Sequence, residues 1–336
     1  MNKPKITVII PVYKVGKYIE NSMKSVIAQQ FRDFEVLLVD NNTPDDSIEI
    51  AERILRSSDI EYRVVKQTKQ GLPAARNMGI AEAKGEWLVS IDPDDTISKY
   101  FLEKLYDCAV NNNLDFVFSK YAEVSEDSLF AFPEETKDIP IEFYDRDEVL
   151  VNLLTRHLPL MVSNMFFKKT TFDKLNIHFD EEVILGADLI CLWRLMVNTS
   201  KIAYLNKVLY NHFDRPDSLM TAPSQKKIDS NLTGYNLLCS YIAEHYSEEF
   251  SRWVYAREVY ALLSTICVWG TKTLFNENIK KYYGKVEYND MKNFPNSIIR
   301  WMNGMLYYTP SMFFYFNRVL RSPKSIFNKI IVSIIQ

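Results

Sequence analysis

The chain has 336 residues, 47% of them hydrophobic and 25% charged, and a formal net charge of −3. Such fractions exclude wholesale disorder, and the charge balance argues against a nucleic-acid binder, because counterion release needs a concentrated basic face. The length exceeds a usual single domain, so one large α/β unit with a smaller helical appendage is expected.

In chain order, MNKPKITVIIPVY opens with a short apolar run broken by Pro11. It lacks the apolar length of a signal peptide and reads as a first strand. Further β-branched and apolar runs at Phe34–Val39, Tyr62–Val65, Trp87–Ile91 and Phe116–Phe118 predict strands. Helical stretches are expected between them, at about Lys17–Gln29, Asp46–Ser57, Leu72–Lys84 and Lys99–Asn112. The alternation predicts a largely parallel, doubly wound sheet with flanking helices. Residues 121–145 are acidic and proline-bearing and read as a loop or an edge excursion. Another helix is expected to start near Gly186, and beyond about residue 224 the chain reads as entirely helical. Cys108, Cys191, Cys239 and Cys267 are widely spaced in apolar surroundings, without metal-ligand spacing, and are expected to be reduced, buried thiols. No stretch reaches the roughly 18 apolar residues of a membrane-spanning helix, which predicts a cytoplasmic protein.

Ligands of doubly wound sheets sit beyond the carboxyl ends of the strands. There the chain places Pro11-Val12-Tyr13, Asp40-Asn41-Asn42 and Asp92-Pro93-Asp94-Asp95. Pro93 stiffens a turn from which two carboxylates can project toward a hard divalent cation with open positions for phosphate oxygens. A plainer role for Asp95 or Ser98 is to cap the following helix.

The segments TVIIPVYKVGKYIENSMKSVIAQQFRDFEVLLVDNN, GLPAARNMGIAEAKGEWLVSIDPDD and GADLICLWRL stand in the order of family-2 glycosyltransferases, and the chain resembles that family over about residues 4–215. The resemblance implies the GT-A fold and a metal-dependent, inverting transfer of a hexose from a nucleotide-diphosphate sugar, in assembly of a bacterial capsule, O-antigen or lipooligosaccharide. A β-linked product from an α-linked donor is then expected. It implies that Pro11, Val12 and Tyr13 line the nucleotide base. Asp40 then meets the base edge; a carboxylate accepting an imide N–H favours a UDP-sugar. Arg76, on the helix after Gly71, is expected toward the base or diphosphate. Asp92 is expected at the ribose or metal and Asp94, beyond Pro93, at a Mn or Mg ion that offsets charge on the departing diphosphate. Asp188 is expected as the base taking the acceptor hydroxyl's proton, its plainer alternative being a helix cap. His212, in Tyr210-Asn211-His212-Phe213-Asp214-Arg215, and Arg215 are candidates for metal or phosphate contact, although a lone His is commonly structural.

The chain departs from the family at two places. Ala187 stands where relatives have a Glu before the catalytic Asp, which leaves the acceptor open. Asn41-Asn42 replaces Asp-Gly, so contacts to the nucleotide at Asn41 differ, while Asn42 tolerates a left-handed turn.

The domains expected are a catalytic one over 1–220 and a helical one over 221–336. From Pro295 on there are Arg300, Arg318, Arg321, Lys324 and Lys329, no acidic residue, and many aromatics, including Trp301, Tyr308, Tyr315 and Phe327. That composition suits peripheral attachment to an anionic inner membrane face and a lipid-linked saccharide acceptor. A homodimer interface or packing on the catalytic domain would use the same residues. Two other functions fit parts of the pattern: a sugar-nucleotide nucleotidyltransferase, for which PVYKVGKY is a poor phosphate loop, and an inactive homologue serving as a scaffold.

Overall fold

The computed structural model describes residues 3–133, 139–183, 186–213, 215, 224–283, 289–290, 294 and 297–320. The chain divides into two compact units. The first comprises Met1–Val149, Pro159–Glu181 and Ala187–Pro216; the second comprises Leu150–Leu158, Glu182–Gly186 and Asp217–Gln336.

A nine-stranded sheet organises the first unit. Its strands are β1 (Ile6–Val12), β2 (Phe34–Asp40), β3 (Glu61–Lys66), β4 (Trp87–Ser90), β5 (Thr96–Ile97), β6 (Phe116–Val124), β7 (Ile141–Asp145), β8 (Met165–Lys168) and β9 (Lys201–Phe213). They lie in the order β3-β2-β1-β4-β8-β6-β9-β5, with β7 on β9. The block β3-β2-β1-β4 is parallel, as expected for a doubly wound sheet. The other half is mixed, because β8 runs antiparallel to both β4 and β6 while β6 and β9 run parallel. β1 is buried at every position, which is why ITVIIPV reads as a continuous apolar run and not as an alternation. β3 lies at the edge, with every position exposed or half-buried. Of the stretch 121–145, β6 takes the first four residues, a 3-10 turn spans Glu126–Ser128, and β7 forms an edge strand.

The crossovers are α1 (Ile19–Ile27), α2 (Ser47–Arg56), α3 (Leu72–Glu82) and α4 (Phe101–Asn111). α1 buries Ile19, Met23 and Val26, one stripe of a 3.6-residue period. α3 lies unusually close to the sheet: a Cβ on Gly79 would stand 2.3 Å from Ile9 Cγ2. Pro73 in its first turn starts the helix without wasting a donor. Pro73, Ala74, Ala75, Arg76 and Gly79 are all buried, so the small residues beside Arg76 carry its guanidinium beneath the sheet's carboxyl edge.

Helices α5 (Arg146–Thr155), α6 (Lys169–Leu175) and α7 (Ala187–Val197) follow, α7 starting directly after Gly186. The second unit contains α8 (Gln225–His245), α9 (Glu248–Trp269), α10 (Lys272–Tyr282), α11 (Ser297–Tyr308) and α12 (Pro310–Leu320). Ser224, Ser247 and Thr271 cap α8, α9 and α10 by accepting a backbone N–H three residues on. Phe313 and Phe314 of α12 pack inward against Tyr260 and Phe275. No helix among the described residues is long and apolar enough to cross a membrane. All four cysteines are free thiols, three of them buried and Cys239 half-buried.

Candidate active site

The carboxyl edge of β4 ends in the turn Asp92-Pro93-Asp94-Asp95, closed by an Asp95 N–H to Asp92 carbonyl bond of 3.1 Å. Its three carboxylates have different surroundings. Asp92 Oδ1 accepts from Arg76 Nη2 at 2.7 Å. Asp94 Oδ2 lies 3.2 Å from Arg215 Nε. Burial, followed by the charges of Asp95 and Asp92, pushes the Asp94 carboxyl up to about 7, against the pull of Arg215.

Asp95 is fully buried and ties the turn to β9. It accepts from the Tyr210 hydroxyl at 2.5 Å and from the Phe213 N–H at 2.8 Å, and lies 3.2 Å from His212 Nδ1. Burial raises its pKa. The hydrogen bond to Asp95, aided by the charges of Asp95, Asp92 and Asp94 and opposed by burial, raises His212 to about 9, so the imidazole is a cation at neutral pH. Asp95 therefore does not cap α4, whose first turn has Tyr100 at the cap position with no side-chain hydrogen bond.

Asp188, the second residue of α7, meets Arg76 Nη1 in an ion pair. Its side chain is 42% exposed, whereas that of Arg76 is 1% exposed. The buried guanidinium also donates from Nε to Ser90 Oγ at 3.3 Å and lies 5.7 Å from the Phe179 ring centre. Arg76 thus faces two carboxylates from different parts of the chain, where the sequence places it toward the base or diphosphate. Asp188 and Asp92 hold it more firmly protonated than an isolated arginine, despite its burial.

The other expected nucleotide residues gather at the ends of β1 and β2. Pro11 and Val12 are buried, and Tyr13 is exposed with Lys14 Nζ 5.3 Å from its ring centre. Asp40 Oδ1 accepts from the Thr43 N–H at 2.9 Å, and Asn42 takes the left-handed φ of 55° that its turn requires. Asn41 is buried and fully occupied with the loop at 67–71: its Nδ2 donates to the Lys69 and Gln67 carbonyls, and its Oδ1 accepts from Gly71 N and Gln70 Nε2. Gly71, at φ 136°, gives the loop a turn that other residues rarely adopt. Ala187 is buried; Asp214 lies outside the described residues.

Asp95, Tyr210, Ser90 and Phe179 were not assigned these roles from sequence. Tyr210 and His212 are two apart and so share one face of β9, a period-two signal that was present in Tyr-Asn-His. Nothing in the local sequence marks Phe179 or Ser90, whose contacts with Arg76 depend on tertiary folding.

Among the described residues, Asp92, Asp94 and His212 included, no group of three or more His, Cys, Asp and Glu side chains is arranged to hold a metal ion. The turn nevertheless suits a dication in part. It supplies hard oxygen donors, and the raised Asp94 carboxyl marks excess negative charge that a cation would relieve.

The mixed nine-stranded sheet with its flanking helices is that of a GT-A fold. Residues 7–173 match the model of glycosyl transferase family 2, and the chain belongs to that family. It is 28% identical to the uncharacterized glycosyltransferase EpsJ of Bacillus subtilis, over 68% of this chain and 67% of that one. The matched stretch covers 64% and 32% of two further relatives. S. aureus TarS 1-349 in complex with UDP-GlcNAc has a similar fold, at a TM-score of 0.64 and 16% identity, covering 94% of this chain and 89% of that one. Mannosyltransferase PcManGT from Pyrobaculum calidifontis, in complex with GDP-Man and Mn2+, aligns at a TM-score of 0.52 and 16% identity, covering 95% and 88%.

Proposed function

We propose that this protein transfers a sugar from a nucleotide-diphosphate donor, with UDP as the nucleotide, to a saccharide hydroxyl with inversion at the anomeric carbon. The observation that carries the reading is the meeting of Asp92 and Asp188 at one buried guanidinium. It sets a carboxylate of the expected donor site beside one suited to an acceptor, which is the arrangement that in-line displacement needs. Partly exposed Asp188 takes the proton from the acceptor hydroxyl as the hydroxyl attacks. Pro11, Val12, Tyr13 and Asp40 bind the base, and Asn41 shapes the adjoining loop. TarS and PcManGT, with their bound nucleotide sugars, support this donor class.

Asp94 and Asp92 would hold a divalent ion, Mn or Mg, together with phosphate oxygens, and His212, charged as its pairing with Asp95 favours, would meet phosphate and not serve as a metal ligand. When bound, the ion supplies Lewis-acid stabilisation of the leaving diphosphate. His212 and Arg215 add positive charge on the same side of the turn. The test is release of nucleoside diphosphate from a panel of UDP-sugars with Mn2+ or Mg2+, with and without saccharide acceptors. One donor should be consumed only with metal, and Asp94→Ala and Asp188→Asn should abolish turnover while remaining folded. Unchanged activity in both variants would overturn the assignment, and binding of donor without turnover across a broad acceptor panel would favour a scaffold.

The helical unit is proposed to bind an anionic membrane face on the cytoplasmic side, which suits a lipid-linked acceptor from bacterial surface-polysaccharide assembly. Trp301, Tyr308, Met312 and Tyr315 of α11 and α12 are all more than half exposed, and Arg300 lies exposed beside them. Arg321, Lys324, Phe327 and Lys329 lie outside the described residues, as does the side chain of Arg318. The protein should co-sediment with anionic liposomes at low salt and release at high salt. Absence of co-sedimentation together with a dimeric mass would assign the face to self-association.

A further inference from the structure

On the reading of Asp188 as the general base, we infer that Arg76 is a positioning residue that aims Asp188 and Asp92 from one rigid frame. Its side-chain nitrogens face three protein oxygens: Nε donates to Ser90 Oγ at 3.3 Å, Nη2 donates to Asp92 Oδ1 at 2.7 Å, and Nη1 pairs by charge with Asp188 Oδ1. A planar guanidinium fixes these three directions relative to each other, which the single ammonium of lysine does not do. The frame is itself anchored. α3 is pressed onto β1 at Gly79, the guanidinium lies near the Phe179 ring, and Phe179 is held through its N–H and carbonyl by Asn77 at 2.9 Å each.

The two carboxylates rise from this frame toward solvent, Asp92 at 24% and Asp188 at 42% side-chain exposure, over an arginine exposed at 1%. With one oxygen of Asp188 held from below, rotation of its carboxylate is restricted and the other oxygen is left for the acceptor's proton. A base so held needs little further ordering when the acceptor arrives. A guanidinium is also always charged, so Asp188 keeps an opposite charge beside it throughout the cycle. Because the same cation holds Asp92, a donor that engages Asp92 acts on the frame that sets the base. Arg76 thereby serves catalysis through the two carboxylates that it faces.

The test uses the full chain with its donor and acceptor. Donor affinity is read from UDP binding by calorimetry and turnover from nucleotide release, for wild type, Arg76→Lys, Arg76→Ala, Asp188→Asn and the double variant Arg76→Lys/Asp188→Asn. The expected result is a fall in kcat of about 100-fold in Arg76→Lys, the size that a misplacement of about 1 Å brings, with UDP affinity within about threefold of wild type. The double variant should be no slower than Asp188→Asn alone, because both changes remove one function. Added ethylguanidinium should restore part of the turnover of Arg76→Ala. If Arg76→Ala does not melt cooperatively, Arg76→Lys and the double variant carry the test. Wild-type kcat in Arg76→Lys, or lost UDP affinity with kcat unchanged, would overturn the inference while leaving Asp188 as base. Undiminished turnover in Asp188→Asn would instead remove the base assignment and the inference with it.

Discussion

Two buried carboxylate sites stand at opposite ends of the same parallel strands. At the amino end, Glu35 of β2 accepts from Thr7 Oγ1 at 2.8 Å, Lys84 N at 2.9 Å and Arg63 Nε and Nη2 at 3.0 and 3.2 Å. Burial works to raise its pKa, but these donors outweigh burial and the pKa falls below the usual value. At the carboxyl end, Asp94 and Asp95 have raised pKa values, because burial and mutual repulsion exceed what Arg215 and His212 return. Glu35 serves the fold and is given enough donors to be stable as an anion. Asp94 is left partly uncompensated, and Asp95, which ties the turn to β9, shares that deficit at the end of the sheet proposed to be functional.

The largest expected effect is at Asp188. Asp188→Asn should lower kcat by about 100- to 10,000-fold, the range of general-base removal, and should also lower the melting temperature, because buried Arg76 loses one of its two anionic partners while the protein stays folded. A loss of stability with kcat unchanged would show that the pairing with Arg76 is structural alone and would blur the contrast with Glu35. Asp94→Asn should also abolish metal-dependent turnover, yet raise the melting temperature of the ligand-free protein above pH 7. The sign follows from the raised pKa. A carboxyl whose folded pKa lies above its unfolded value contributes stability below the unfolded value, near 4, which is lost as pH rises through about 7; the amide avoids that loss. A lower melting temperature would mean that the Arg215 pair outweighs the repulsion.

Glu35 should behave in the opposite way. Glu35→Ala removes the acceptor of a fully buried Thr7 hydroxyl and of Arg63, and should cost about 1–3 kcal/mol of stability while leaving kcat unchanged. Its depressed folded pKa means that its contribution is present above its unfolded value and is lost as pH falls through the folded one. Thermal melts from pH 7 to 3 should therefore fall more steeply in wild type than in Glu35→Gln. Parallel curves would remove Glu35 as the well-compensated member of the pair.

The parallel half of the sheet was legible because its strands are buried on both faces and its helices carry a clear apolar stripe. Ile6–Ile10 and Lys17–Gln29 fall within a few residues of β1 and α1. The mixed half was less so. β5 has two residues, and β8 takes its direction from pairing with β4 and β6, which leaves no local mark. At the site, the acidic turn, Asp188 and Arg76 could be picked out by pattern. That Arg76 faces Asp92 and Asp188 depends on how closely α3 approaches β1. Asp95 read equally well as a cap, since an Asp before a helix looks the same whether its partner is a nearby N–H or a tyrosine and a histidine on β9.

The smallest expected effect concerns Asn41, where the family resemblance implies an Asp. Its amide donates to two carbonyls, of Lys69 and Gln67, and accepts from Gly71 N and Gln70 Nε2, in a buried position. Asn41→Asp keeps the shape but removes both donors and sets a carboxylate against two carbonyl oxygens. The loop at 67–71 is therefore built for an amide, and restoring the family's acid should harm it. The loss falls on a loop beside the proposed donor site and away from Asp188. KM for the donor should rise about three- to tenfold, corresponding to about 1 kcal/mol, with kcat nearly unchanged. Steady-state kinetics at fixed acceptor decides it. A lowered KM would mean that the acid contacts the nucleotide directly and that Asn41 weakens donor binding; a changed kcat with constant KM would place the loop with the reacting groups, and the contrast between supporting and reacting residues would have to be redrawn there.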